Sequence, residues 1–236
     1  MEVLTKSREE LKPLIEVDKR AVLLLSGGTD STTLLYDLVS QGYEVKPISF
    51  IYGQRHKKEV QNALATCSKL GLGLEVVDIS IFGQLAPSSL TSRGKDIPKG
   101  GYEDGNMRST VVPNRNMVLL SIATSYALGL RIDNVFYAAH SGDHAIYPDC
   151  RPAFILALGK ALKLCDYIRV NLETPYMYWE KSDIIRRGIG LGVDYSLTWS
   201  CYEGGEKACG KCGTCIERLE AFKKVGIKDP LEYKED

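Results

Sequence analysis

The string Ser26-Gly27-Gly28-Thr29-Asp30-Ser31 follows a short apolar run, Ala21 to Leu25, and precedes a helical pattern. A chain that leaves a buried strand through two glycines and turns at once into a helix points bare backbone N–H groups and a positive helix end at one spot, which favours a phosphate there. The glycines matter because a Cβ would hold the anion away. The expected phosphate-binding segment is Leu25, Ser26, Gly27, Gly28, Thr29, Asp30, Ser31 and Thr32. The hydroxyls of Ser26 and Ser31 add donors, and Asp30 could hold Mg²⁺ or cap the helix. The bland alternative is a strand-to-helix turn with ordinary capping residues, and the full six-residue string in this setting weighs against it. No Gly-Lys-Ser/Thr follows, so this is not a Walker loop.

A second constellation lies near the end of the chain. Cys201, Cys209, Cys212 and Cys215 supply four thiolates, with Gly204, Gly205, Gly210 and Gly213 between them. Four soft ligands on a glycine-rich knuckle suit a closed, tetrahedral, structural zinc site. An iron–sulfur cluster or thiols used in chemistry are the alternatives, and the spacing fits zinc better. The remaining three of the seven cysteines, Cys67, Cys150 and Cys165, are scattered, as free thiols in a reducing compartment would be.

Three polar strings fall at or just after predicted strand ends, where open parallel sheets place their ligands. They are Tyr52-Gly53-Gln54-Arg55-His56, Pro113-Asn114-Arg115-Asn116, and His140 to His144 with Tyr147-Pro148-Asp149-Cys150-Arg151. Each alone could be helix caps and solvated loops. His140, Asp143 and His144 could be taken for a metal triad, but with no supporting carboxylate pattern substrate contacts or loop polarity fit them better.

Composition narrows the partners. With 30 basic and 30 acidic residues the chain has no net field to gather nucleic acid or hold a membrane surface, and a small-molecule substrate is the default. Residues 201–236 hold 7 Lys and Arg against 8 Asp and Glu, too little charge for a zinc knuckle that binds RNA. No apolar run approaches the roughly 18 residues needed to span a bilayer, and no signal core opens the chain, so a cytoplasmic location is expected.

These residues need a frame that brings them together. Apolar runs predict strands at Ala21–Leu25, Glu44–Phe50, Leu74–Ile79, Asn134–Ala139 and Tyr167–Leu172. Helical patterns predict helices at Ser31–Gln41, His56–Leu70, Asn114–Leu130, Pro152–Cys165, Trp179–Leu191 and Cys215–Val225. That alternation predicts an α/β fold, a parallel sheet with helices on both faces. Its expected divisions are a charged N-terminal extension over 1–19, the α/β domain over 20–197 and a zinc-bound subdomain over 198–236. Ser80 to Pro113, rich in Gly, Ser and Pro, reads as a long loop of the lid or binding kind, mobile without ligand.

The loop at Ser26 resembles that of the N-type ATP pyrophosphatases, the PP-loop superfamily, which cleave ATP to AMP and pyrophosphate while adenylating a substrate. Together with the polar strings and the cysteine tail, from about Arg20 to Phe222, the chain is similar to the 7-cyano-7-deazaguanine synthase family of queuosine and archaeosine synthesis. The shared stretches include Leu85-Ala86-Pro87, Ser89-Leu90-Thr91, Val112 to Asn116, Tyr147 to Arg151, Ser200-Cys201-Tyr202 and Arg218. Two departures stand out. Many bacterial members carry Gly where this chain has Asn114, and Gly-x-x-Glu-Thr-Asp where it has Ala139 to His144.

The resemblance implies a ligase that uses ATP twice, activating a deazaguanine carboxylate and then the amide made from it with ammonia, and ending at a nitrile. It implies ATP and Mg²⁺ at Ser26 to Ser31, with Asp30, Arg115 and Lys181 as the catalytic charges. Tyr52, His56, Asp143, Asp149 and Arg151 would meet the deazaguanine, and the enzyme would be a homodimer. A relative that stops at the amide or conjugates the ring, and a tRNA sulfur-transfer enzyme sharing the loop, are the neighbouring readings; the second would want an RNA-binding extension or basic face.

Overall fold

Strand β1, Arg20–Leu24, is buried on both sides, which is why its sequence is a continuous apolar run. In the computed structural model, which describes residues 19–91, 96–101 and 105–235, Val22 and Leu24 pack into one core and Ala21 and Leu23 into another. Parallel neighbours flank it, β2 (Glu44–Ile51) on one side and β4 (Asn134–Phe136) on the other. With β3 (Glu75–Asp78) outside β2 and β5 (Asn171–Glu173) outside β4, the order is β3-β2-β1-β4-β5, every pair parallel.

Helices α1 (Thr29–Ser40) and α2 (Lys58–Lys69) bury Leu34, Leu35, Leu38, Ala63 and Cys67 against the Ala21 face. Beyond the short helix α3 (Ile81–Leu85), α4 (Arg115–Gly129) and α5 (Pro152–Leu162) cover the Val22 face with Leu120, Ala123, Ile155 and Leu158. Helix α6 (Lys181–Gly190) adds Ile184 to the first core, and α7 (Gly213–Val225) packs on α6 through Phe222 and Ala221 against Ile185. The expected doubly covered parallel sheet is therefore present. Because β1 leads to β2 on one side while β4 lies on the other, the segments that leave β1 and β4 diverge above their carboxyl ends and open a crevice.

Three expectations need correction. The last strand starts at Asn171 instead of Tyr167, because Asp166 accepts the Ile168 N–H to make a turn and Tyr167 stands fully exposed. Strand β4 ends at Phe136, three residues early, although the Tyr137 N–H still reaches Glu173 O at 3.0 Å. The segment expected to be all loop contains α3 and a 3₁₀ turn, Gly105–Thr110, tied back where the Ser89 N–H donates to Ser109 O at 2.9 Å. The expected extension falls outside the described residues up to residue 18.

The tail is clamped on the sheet domain by its own polar core. Arg218 is fully buried and donates to both oxygens of Asp229, at 2.7 and 2.9 Å, and to Thr198 Oγ1 and Tyr195 O. Among the described residues no helix is long and apolar enough to cross a membrane.

Candidate active site

The loop from Ser26 to Ser31 has the geometry its sequence requires. Gly27 adopts φ +87°, and a Cβ there would overlap the backbone carbonyl of Glu59. Gly28 sits at the N-cap of α1 with no side chain closing the helix end, so the first N–H groups of α1 are left for a ligand. Ser26 and Ser31 brace the turn, their hydroxyls 2.9 Å apart and the Ser26 N–H on Ser31 Oγ at 3.1 Å. The tail joins in, for the Trp199 N–H donates to Gly27 O at 2.9 Å. Leu25, Ser26, Gly28, Asp30 and Ser31 line the crevice, while Thr29 and Thr32 are buried beneath it.

A knot of charge stands beside the loop. Helix α6 starts with a capping box in which Asp183 accepts the Glu180 N–H at 3.3 Å, and this sets the position of Lys181, the first helical residue. Its ammonium lies 3.3 Å from Asp30 Oδ2 and 2.5 Å from Glu217 Oε2 of α7. Burial opposes the Lys181 charge, but the carboxylates of Asp30, Glu217 and Asp143 overcome it and raise its pKa. Burial likewise raises Asp30, yet Lys181 prevails and holds that carboxyl below its ordinary value. His140, almost wholly buried, accepts the Gly142 N–H on Nδ1, which assigns its proton to Nε2. That atom points between Asp30, Asp143 and Glu217, at 3.7, 3.6 and 3.9 Å, without a hydrogen bond to any described residue.

The other wall is aromatic and cationic. Arg115 lies with its guanidinium 5.7 Å from the Tyr52 ring centroid. Burial works against the Arg115 charge, and the Asp149 carboxylate is among the neighbours that offset it. Gln54 holds Tyr52 in place by accepting its N–H at 2.7 Å while donating to Phe50 O. Tyr147 bonds Tyr202 at 2.7 Å and Thr110 at 3.0 Å, drawing three distant segments together. Cys150 lines the crevice between Asn116 and Tyr137, and burial pushes its thiol far above the usual range, which disfavours the thiolate.

Of the residues expected to act, Asp30, Arg115, Lys181, Tyr52, His56 and Asp143 all line this one crevice. Asp149 and Arg151 are not among the lining residues. Asp149 accepts the Asn116 N–H at 3.0 Å at the start of α4, and Arg151 donates to His144 O at 2.8 Å. Three groups escaped the sequence reading. Glu217 and Glu59 look like ordinary helix-surface acids in the sequence, and His140 is expected there only as a substrate contact or as loop polarity, not as a partner of the charge knot.

The family model described as Queuosine biosynthesis protein QueC matches residues 20–226. The chain belongs to the QueC family. It is 62% identical over 214 residues to a 7-cyano-7-deazaguanine synthase of Caldicellulosiruptor bescii, spanning 91% of this chain and 97% of that one. A 7-cyano-7-deazaguanine synthase of Methanoregula boonei is 58% identical over 214 residues, covering 91% and 99%. Among solved structures, a 4-thiouridine synthetase in complex with RNA and with ATP bound superposes with a TM-score of 0.51, over 88% of this chain and 50% of that one. At 16% identity this shows the shared PP-loop fold alone.

One departure from the bacterial QueC pattern has a direct physical account. Asn114 takes φ +61°, the left-handed region that glycine enters freely and asparagine most readily of the others, so the turn into α4 survives the exchange. In the second string, Gly142 makes space: a Cβ there would overlap the Glu217 carboxylate and crowd the His140 ring. The cysteine site of this QueC chain is assembled as well. The sulfurs of Cys201, Cys209, Cys212 and Cys215 lie within 4.8 Å of one another, all four residues buried. A tetrahedral ion with bonds of about 2.3 Å wants sulfurs about 3.8 Å apart, so the cluster fits a metal. Backbone N–H groups of Cys209, Lys211 and Cys212 point at Cys201 and Cys209 sulfurs from 3.3 to 3.4 Å, as thiolate ligands require.

Proposed function

We propose that this protein converts 7-carboxy-7-deazaguanine and ammonia to 7-cyano-7-deazaguanine, consuming ATP to AMP and pyrophosphate at each of two adenylations. The observation that carries this is the phosphate loop opening into the same crevice as Arg115, Lys181 and the Tyr52 wall, in a QueC-family chain. A carboxylate oxygen cannot leave as oxide at neutral pH. Its attack on the α-phosphorus forms the acyl adenylate and frees pyrophosphate. Ammonia adds to the acyl carbon, AMP leaves and a proton is lost, giving the amide. The amide oxygen then attacks a second ATP, again freeing pyrophosphate, and loss of AMP and the nitrogen-bound protons leaves the C≡N bond.

The chain's own contribution is placement and charge. Loop N–H groups with Ser26 and Ser31 receive the departing pyrophosphate, and Arg115 and Lys181 meet negative charge gathering at phosphorus. Asp30 would hold Mg²⁺, which screens the phosphate oxygens when bound. Tyr52, His56 and Asp143 face the deazaguanine, with Asp149 and Arg151 supporting that wall from behind. The four cysteines hold structural zinc, which keeps Trp199 on the loop and Glu217 on Lys181. We place the enzyme in the cytoplasm as a homodimer acting on small molecules, with the sheet domain ending near 197.

The test is direct. Purified protein with ATP, Mg²⁺, ammonium and 7-carboxy-7-deazaguanine should yield the nitrile by mass spectrometry, with two pyrophosphates per product. Product that stops at the amide would move the chain to an amide-forming relative, and no substrate-dependent pyrophosphate would defeat the reading.

A further inference from the structure

Among the described residues three carboxylates line the crevice: Asp30, Asp143 and Glu59. Asp30 pairs with Lys181 and Asp143 lies 3.6 Å from His140 Nε2, whereas Glu59 has no such neighbour among the described residues. It occupies the first turn of α2, a place where an acid ordinarily faces water, yet its side chain borders the crevice and makes no hydrogen bond or ion pair among the described residues. Its backbone carbonyl is packed against Gly27, so the carboxyl is held at a set position relative to the phosphate loop. Arg115, Tyr52 and the clustered Cys201 are its charged and polar neighbours.

A carboxylate kept in a partly closed site with no internal donor is costly unless a ligand supplies one. A 7-deazaguanine ring carries two adjacent donors, the ring N1–H and the 2-amino group, at the spacing two carboxylate oxygens accept. We propose that Glu59 accepts this donor pair and is the residue that selects the 2-amino ring over the otherwise identical ring lacking that amino group. The assignment rests on the function proposed above and adds to it the means of substrate choice. Burial, which pushes the empty carboxyl up to about 7, agrees with it: the ionised form is expensive until the donors arrive. No proton need be transferred, because both hydrogens remain on the ring.

The test compares 7-carboxy-7-deazaguanine with 7-carboxy-7-deazahypoxanthine in steady-state pyrophosphate release, for the wild type, Glu59→Gln and Glu59→Ala. The wild type should favour the amino ring by roughly 10- to 100-fold in kcat/KM, the range of a good bidentate pair. Glu59→Gln, which turns an amide donor toward the ring's donors, should raise KM for the amino ring by a similar factor, leave KM for ATP unchanged, and erase the preference. An unchanged preference in the variants, or a loss confined to kcat, overturns the assignment while leaving the function standing. Equal use of both rings by the wild type overturns it without any variant, so the result does not hang on the variants folding. Pyrophosphate release with neither ring defeats the function and the assignment together.

Discussion

Glu217, two residues past Cys215 of the cysteine cluster, accepts a 2.5 Å hydrogen bond from Lys181, whose ammonium lies 3.3 Å from Asp30 in the first turn of α1. The helix that begins in the cysteine cluster thus ends one side of the charge network around the loop. Lys181 is almost wholly buried, so its placement depends on these partners and not on water.

Lys181→Met should therefore lower substrate-dependent pyrophosphate release by about 100- to 1,000-fold, the cost of losing a cation aimed at developing charge. Glu217→Gln should lower kcat by about tenfold, or about 1.4 kcal/mol in barrier, because Lys181 keeps Asp30 but loses its second anchor. Bound metal should stay at the wild-type level in both, as measured by metal analysis. A Glu217→Gln enzyme with wild-type kcat would show that the link is structural only.

Gly142→Ala probes the same link from the other side, since its new methyl overlaps the Glu217 carboxylate. It should reduce kcat about as much as Glu217→Gln does, and the double variant should be little worse than either, a coupling that a double-mutant cycle reads directly. Additive losses would separate the two residues.

Glu59 fixes a sign for pH dependence. Its pKa rises from 4.5 to about 7 on folding, so the folded state holds its proton more tightly and stability falls as pH climbs through that window. Free of substrate, Glu59→Gln should match the wild type near pH 5 and exceed it at pH 8 by up to about 3 kcal/mol in urea denaturation. A gap that is constant with pH would contradict the burial of this carboxyl.

Cys209→Ser should lose bound metal and, with it, solubility, because a site absent from the unfolded chain turns its binding energy into folding energy. Metal content and a thermal melt check this, and a chelator should reproduce the effect on the wild type. A soluble, metal-free, active variant would remove zinc from the account.

Arg218→Met strands the buried Asp229 carboxylate and should cost about 3–5 kcal/mol in denaturant unfolding. Arg218→Met with Asp229→Leu should recover part of that loss, since neither charge is then left unpaired.

Much of this was legible in the residues. The apolar runs at β1 and β2 and the glycines that close their helices set elements that differ from expectation by a residue or two, and the Ser26 string does leave an uncapped helix start and the four cysteines do cluster. The last strand was misjudged because Tyr167 and Ile168 have strand-like side chains but belong to a turn made by Asp166. Asp149 and Arg151, polar and close to the crevice in sequence, were drawn into backbone hydrogen bonds that no spacing reveals.

What the sequence decided alone was local: which segments become strands and helices, where a helix start leaves N–H groups uncapped, and which thiols lie close enough to share an ion, since each depends on residues close together in the chain. Only the tertiary structure decided that His140 after β4, Lys181 at the head of α6 and Glu217 on α7 converge on Asp30, and that Glu59 turns inward. Those meetings follow from the reversal of strand order between β1 and β4 and from α7 packing on α6, and contacts across such separations leave no period or motif to read.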